Sequence, residues 1–586
     1  MNIILSTLNA KYLHTSLALR SIKAYCTSHK DDIKIAEYTI NHQEDYILRE
    51  IYKLRPDILG FSCYIWNIEK TMDLIKSIKR ILPAVTIILG GPEVSYDGIV
   101  QMKNHKEIDI IVYGEGEKTF NELIGYFTNK GKSLDEIDGI IYRLDGEIVK
   151  TKKRKSVSLD ELPFVYKDFD KMKNQILYYE STRGCPYRCQ YCLSSRETGV
   201  RFLSLERVYF DLRKFLDAKV KQVKFVDRTF NCSKSHALAI WQFLINNDNG
   251  KTNFHFEISA DILDEKTIDF LSKARPGLFQ FEIGVQSTNE HVLGIIDRKM
   301  DFNKLKWAVK KIKKNKNIHQ HLDLIAGLPG EDYNSFRQSF NEVYYLLPEK
   351  IQLGFLKVLK GTEMKNKENE YGLKHKNKAP YEILFTKELN YEEMLRLKMI
   401  EEMLEIYYNS QRFYYSISYI IRFFDTPFDF YEALAKHWER LGFHHIQHNK
   451  TDLYTILLEF FIKSVGYNEE IFKELLKFDM YLIEKVKRFP SWMSSSYDDY
   501  KTRIREFYRN EGNIREYLPK LVGYSPKDIS RRVHLEVFPI DFTGWIKSIE
   551  TGGDLADIGK KPTAILFDYY LKDNILGHSA FYKVII

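Results

Sequence analysis

From residue 2 to residue 361 the chain keeps returning to one unit: a short apolar run, then a longer stretch whose apolar residues recur at helical spacing. Parallel strands need a crossover between them, and a helix is what usually supplies it, so this alternation commits most of the chain to parallel sheets buried on both faces. Five strand candidates come first, at 2–8, 33–40, 57–64, 85–91 and 108–116, with helical patterns at 13–26, 45–54 and 68–81 between them. They predict a doubly wound, flavodoxin-like sheet over residues 1–130. The alternation breaks at 137–151, where two strand-like runs meet at Asp145-Gly146, a strong hairpin signal; residues 131–175 are therefore expected to form a hairpin and linker. Six further strand candidates follow at 176–182, 223–230, 254–260, 278–287, 321–330 and 351–361. Six βα units make a partial (β/α)6 barrel, placed at 176–374, with its chemistry expected on the loops at the carboxyl ends of the strands. From Leu389 the pattern turns helical, with short strand-like runs only at 534–542 and 564–572, so residues 375–586 are expected to form a mainly helical C-terminal domain in which Met, Tyr and Phe at helical spacing are core.

The first barrel strand is followed by Cys185, Cys189 and Cys192, in the spacing C-x3-C-x2-C. Thiolates hold iron–sulfur clusters, and a four-iron cluster takes four protein ligands; three crowded thiolates with no fourth beside them leave one iron open to a substrate or cofactor. Zinc would ask for paired ligands, and Cys232 stands alone forty residues on. Six cysteines in 586 residues do not make a disulfide scaffold and point to a reducing compartment. With no apolar run long enough to span a bilayer and no signal-peptide pattern at Met1, a cytoplasmic protein without membrane contact is expected. A net charge of +8 permits a nucleic-acid partner without favouring one.

The stretch Tyr178 to Ser194, YYESTRGCPYRCQYCLS, with Tyr191 just before the third cysteine, resembles the signature of radical S-adenosylmethionine (SAM) enzymes. The resemblance implies a [4Fe-4S] cluster on the three cysteines, SAM chelated at its open iron, reductive cleavage to a 5′-deoxyadenosyl radical, and an electron donor such as flavodoxin or ferredoxin. It further implies that Tyr191, Asp227, Glu282, Gln286 and Gly327 contact SAM: Asp227 the ammonium group, Glu282 and Gln286 the ribose or carboxylate, Gly327 the adenine. Asp227 and Glu257 are the candidate catalytic side chains, Glu257 because it shares a strand face with Ser259 and could line the substrate cavity. Ahead of the cysteines, ILGGPE and then VYGEGE resemble a cobalamin-binding domain, which puts Gly90, Gly91, Glu93, Gly114, Glu115 and Gly116 at the corrinoid. The D-x-H-x-x-G loop whose histidine ligates cobalt in some cobalamin proteins is missing, and His14 reads as a helix-start residue.

The chain is thus expected to be a cobalamin-dependent radical SAM enzyme with a C-terminal domain of unknown function, a transferase that methylates or rearranges an unactivated carbon of a small-molecule or macromolecular substrate. One alternative is an RNA-modifying methylthiotransferase, against which the N-terminal region offers only Cys26 and Cys63 for a second cluster. The other is a non-catalytic iron–sulfur or zinc protein that binds RNA.

Overall fold

Seven strands form the first sheet: β1 (Ile3–Asn9), β2 (Ile33–Thr39), β3 (Ile58–Ser62), β4 (Thr86–Gly90), β5 (Ile110–Val112), β6 (Ile140–Leu144) and β7 (Glu147–Lys150), in the order β2-β1-β3-β4-β5-β6-β7. The first five are parallel, with Ile3 opposite both Ile33 and Ile58, and Ile88 opposite Ile110. Successive side chains of a strand point to opposite faces, and β1 feeds two separate apolar clusters, Ile4 and Leu8 with Leu59, Phe61 and Ile75, and Ile3 and Leu5 with Ile58, Ile88 and Phe120. The hairpin at Asp145-Gly146, both residues at positive φ, adds β6 and β7 antiparallel to the same sheet. The chain leaves β1 for β2 on one side and returns to β3 on the other. That reversal of strand order opens a crevice at the carboxyl ends, where ligands of such sheets sit.

These coordinates, a computed structural model, describe residues 1–196, 199–551 and 557–586. Contacts divide them into one unit of Met1–Phe336 with Gly354–Tyr391 and another of Arg337–Leu353 with Glu392–Ile586. The first unit also holds the second sheet: β8 (Leu177–Tyr179), then a small antiparallel ladder of β9 (Thr182–Gly184) and β10 (Val200–Phe202) around the cysteine loop, then β11 (Gln222–Phe225), β12 (Asn253–Ile258), β13 (Phe279–Gln286) and β14 (Ile318–Ala326). Strands β8, β11, β12, β13 and β14 are neighbours in that order and parallel, and a sixth strand, Lys350–Phe355, enters this unit at Gly354. All six strand candidates of this region lie on these strands.

The two faces of this sheet differ chemically. Phe279, Phe281, Ile283 and Val285 alternate along β13 into an apolar layer with Phe225, Phe254, Phe256 and Trp241, all buried. The other face carries Lys224, Glu257, Glu282, His255, His321 and Asp323. Ionisable groups belong in such a place only when paired or at work.

The two domains of this unit are joined near the cysteines. His14 forms an isolated parallel bridge with Ile176, whose N–H donates to the Leu13 carbonyl at 2.7 Å, and the Thr15 hydroxyl donates to the Ile176 carbonyl at 3.0 Å. His14 was expected to start a helix; the helix Leu17–Tyr25 instead takes Ser16 as its cap, the hydroxyl accepting from Leu19 N. Arg183, two residues before Cys185, pairs with Glu180 at 2.8 Å, Glu117 at 2.9 Å and Glu115 at 3.4 Å.

In the second unit, helices Pro427–Leu441, Lys450–Ser464 and Glu469–Ile483 bury Tyr431, Tyr454, Phe461 and Phe472, so the aromatic spacing there is core. A three-stranded antiparallel sheet of Val533–Phe538, Thr563–Lys572 and Ser579–Val584 completes it; the third strand carries no clear strand pattern in the sequence. Its buried Glu536 accepts from Lys477, Ser495 and Ser496 and lies 3.0 Å from His534 Nε2. His444 Nδ1 lies 2.6 Å from the Glu402 carboxylate. Among the described residues no helix is long and apolar enough to cross a membrane.

Candidate functional site

Cys185, Cys189 and Cys192 line a cavity of about 180 Å³ together with Tyr191, Arg228, Glu257, Glu282, Gln286, Arg298 and Asp323. The loop is braced from below. Asp227, fully buried, accepts from Ser181 N at 3.0 Å, Ser181 Oγ at 2.6 Å and Thr182 Oγ1 at 2.6 Å, tying the end of β11 to the segment that leads into the cysteines. Burial pushes its carboxyl up to about 7, although those hydrogen bonds pull the other way. Its oxygens are thus spent, and it does not line the cavity. The sequence expectation that Asp227 meets the SAM ammonium is corrected to a bracing role; the neighbouring Arg228 and Thr229 line the cavity instead, with Thr229 Oγ1 3.7 Å from Cys185 Sγ.

Arg298 went unnoticed in the sequence, where nothing marks it 106 positions after Cys192. Its guanidinium reaches Cys189 Sγ at 3.8 Å and the Tyr191 hydroxyl at 3.4 Å, and donates to the Gly284 carbonyl. Burial pushes the Cys189 thiol up while the guanidinium beside it favours the thiolate. Burial raises the Tyr191 hydroxyl as well, so that ring stays neutral.

Glu257 and Glu282 face the same cavity in unlike states. Burial works against ionising Glu282, but the His255 ring at 2.9 Å and Lys224 Nζ at 2.8 Å hold its carboxyl well below the usual range. Glu257 has only Lys224, at 3.7 Å, and burial raises it. Strand parity could have found Lys224 and His255, since an ionisable residue on the side opposite an aromatic layer has to face the interior.

Gln286 follows a register shift after Gly284 and adopts φ +73°, a strained conformation for a residue with a Cβ. Its Oε1, like Arg298 Nε, is buried without a hydrogen-bond partner. A buried polar atom without a partner calls for an explanation, and with three thiols in the same walls these atoms fit a sulfur-bound cluster and a polar small molecule beside it. Gly327 stands one residue past β14 at φ +85° and does not line the cavity, whereas Asp323 on that strand does.

A second cavity, of about 710 Å³, opens at the carboxyl ends of the first sheet. Asn9 ends β1, and Ala10 and His14 follow it; Tyr64 and Trp66, stacked at 4.5 Å, follow β3; Gly90 ends β4 and Gly91 follows it; and Gly114, Glu115, Gly116 and Glu117 follow β5. Its volume is that of a site for a sizeable ligand. The glycines serve different ends: a Cβ on Gly114 would meet nothing within 4 Å, while one on Gly91 would come 2.5 Å from the Cys63 carbonyl, so Gly91 lets β4 close against β3. Glu93, expected at the corrinoid, is turned away from this cavity and accepts from the Tyr381 hydroxyl at 2.8 Å. Glu115 lines the cavity but is paired with Arg183 and Arg201. Arg228 lies in the walls of both cavities. Cys26 and Cys63 are fully buried in the two separate apolar clusters.

Three family descriptions match in sequence: the B12 binding domain over residues 4–124, the radical SAM superfamily over 179–343 and a protein of unknown function, DUF4080, over 369–567. An uncharacterized methyltransferase of Pyrococcus horikoshii is 28% identical over 295 residues, 49% of this chain and 63% of its own length. The cobalamin-dependent radical SAM methyltransferase TokK of Streptomyces tokunonensis is 27% identical over 327 residues, 50% of this chain and 45% of its own length. The chain thus spans about half the length of such relatives. Among solved structures, the cobalamin-dependent SAM radical enzyme OxsB, with aqua-cobalamin and SAM bound, superposes at a TM-score of 0.54 and 16% identity, covering 90% of this chain and 78% of that one. The cavities at the cysteines and at the sheet ends therefore stand in a chain that joins B12-binding, radical SAM and DUF4080 regions.

Proposed function

We propose that this chain of cobalamin-binding and radical SAM domains is a methyltransferase that acts on an unactivated carbon of its substrate. The observation that carries the reading is the pair of cavities with Arg228 in common: one walled by three thiols, the other at the ligand-binding edge of a parallel sheet. Cys185, Cys189 and Cys192 would hold the cluster, Tyr191, Glu282, Gln286 and Arg298 would surround SAM, and Gly90, Gly114 and Gly116 would border cobalamin. When bound, these groups supply one-electron chemistry and a transferable methyl group. The protein's share is positional and electrostatic. Arg298 holds positive charge against Cys189, Glu282 stays ionised between Lys224 and His255, and Glu257, its carboxyl raised by burial, can hold or release a proton at a face of the cavity. Residues 1–130 are assigned to cobalamin, 131–175 to the hairpin and linker, 176–374 to the cluster and SAM, and 375–586 to choice of substrate; a low-potential donor of the flavodoxin or ferredoxin class, in a reducing cytoplasm, would complete the system.

Anaerobic reconstitution tests this reading. The expected outcome is about four irons per chain, retained corrinoid, and 5′-deoxyadenosine or transferred methyl from labelled SAM once a reductant is added. Zinc in place of iron, with intact SAM, would sink it.

A further inference from the structure

The large cavity has few groups able to bind a metal. Its three carboxylates are committed: Glu117 and Glu180 to Arg183, and Glu115 to Arg183 and Arg201. Trp66 Nε1 has no lone pair and donates to the Leu8 carbonyl at 3.1 Å, and Asn9 Nδ2 donates to the His14 carbonyl at 3.1 Å. Among the described residues no thiol or thioether lines this cavity, and His14 is the single imidazole that does.

His14 is also prepared for such a role. It sits in the loop after β1, beside the point where the strand order reverses, and its backbone is pinned on both sides, by Leu13 and Thr15 to Ile176. Its Nδ1 lies 2.5 Å from the Tyr178 hydroxyl, which fixes the ring and leaves Nε2 as the free nitrogen. Burial, with Lys11 and Lys224 nearby, keeps the ring neutral, the form that ligates metals. A hydroxyl can accept as well as donate, so a metal at Nε2 selects the tautomer in which Nδ1–H donates to Tyr178, the usual arrangement around a metal-bound histidine.

We propose that His14 Nε2, oriented by Tyr178, is the protein's axial ligand to the cobalt of a corrinoid held in this cavity, in place of the missing D-x-H-x-x-G histidine. This rests on the reading that the cavity holds cobalamin.

The test is electron paramagnetic resonance of the full-length protein loaded with cob(II)inamide, which has no base of its own, and separately with cob(II)alamin. With cob(II)inamide, each cobalt line should split into a nitrogen triplet, become a doublet in protein grown on ¹⁵N-histidine, and lose the splitting in His14→Ala. The isotope arm needs no variant and so does not depend on His14→Ala folding. With cob(II)alamin, a doublet in the labelled protein shows histidine in place of the cofactor's base. Unsplit lines with cob(II)inamide, or a triplet that survives the ¹⁵N label, overturn the proposal while leaving cobalamin binding intact. If neither corrinoid is retained by folded wild-type protein, the cobalamin reading fails and this inference fails with it.

Discussion

The two cavities of the first unit are built on opposite principles. The smaller is defined by side chains: three thiols, two guanidinium groups and three carboxylates, crowded into about 180 Å³. The larger, about 710 Å³, is defined by backbone, the glycine-bearing ends of parallel strands, with the glutamates after β5 neutralised by an arginine of the neighbouring domain. The difference teaches that chemistry concentrated in a few residues tolerates no exchange of those residues, whereas a site made of shape depends on whatever keeps its walls in place.

The largest effect should come from the thiols and should separate the cavities. Cys185→Ala, Cys189→Ala and Cys192→Ala are each expected to lose essentially all iron while keeping wild-type corrinoid content, and Cys232→Ala to keep its iron; iron analysis and corrinoid absorbance on the same samples decide. Loss of corrinoid along with the iron would break the comparison.

Next in size is Arg183→Met, which should damage both cavities together because it leaves Glu115, Glu117 and Glu180 partly buried without their common cation. Breaking such a pairing costs about 3–5 kcal/mol, read as a lowered midpoint in thermal or denaturant unfolding. Adding Glu117→Gln should recover part of that loss, since the two residues are in contact. Additive losses in the double variant would show that the contact is not energetically coupled.

The smallest effect concerns pH. Asp227 has a folded-state pKa of about 7, above the unfolded value of about 3.9. Between those values the folded chain binds the proton more tightly, so this group's contribution to stability is full below about pH 4 and falls as pH rises toward 7. Asp227→Asn should remove that component, so that the difference between variant and wild-type melting temperatures grows across the window and levels above it. Parallel profiles would mean that Asp227 does not titrate there.

The sequence showed the strand order's raw material and the cysteines because both are local: a run of β-branched residues or a C-x3-C-x2-C spacing can be read without knowing what folds against it. The hairpin at Asp145-Gly146 was legible for the same reason, but its merger into the first sheet was not, since pairing of β5 with β6 is decided by which edge is free. Strand parity named Glu257, and family resemblance named Tyr191, Glu282 and Gln286; all four line the cysteine cavity. The resemblance misplaced Asp227 and Glu93 because a carboxylate at a strand end looks the same whether it faces a ligand or accepts from Ser181 or Tyr381. Arg298 and the pairing of His14 with Tyr178 join residues 107 and 164 positions apart from their partners, a relation that only the folded chain contains.

The pairing of Arg183 with Glu115 and Glu117 also limits how such domains can be recombined. The arginine lies inside the cysteine signature and the glutamates inside the glycine-rich turn after β5, so the acids of one half are met by a cation of the other. A chimera that took its cysteine segment from a relative lacking that arginine would leave Glu117 buried at the join without its cation. In evolutionary terms, a crossover between residues 117 and 183 keeps this contact only where both parents already share that pair.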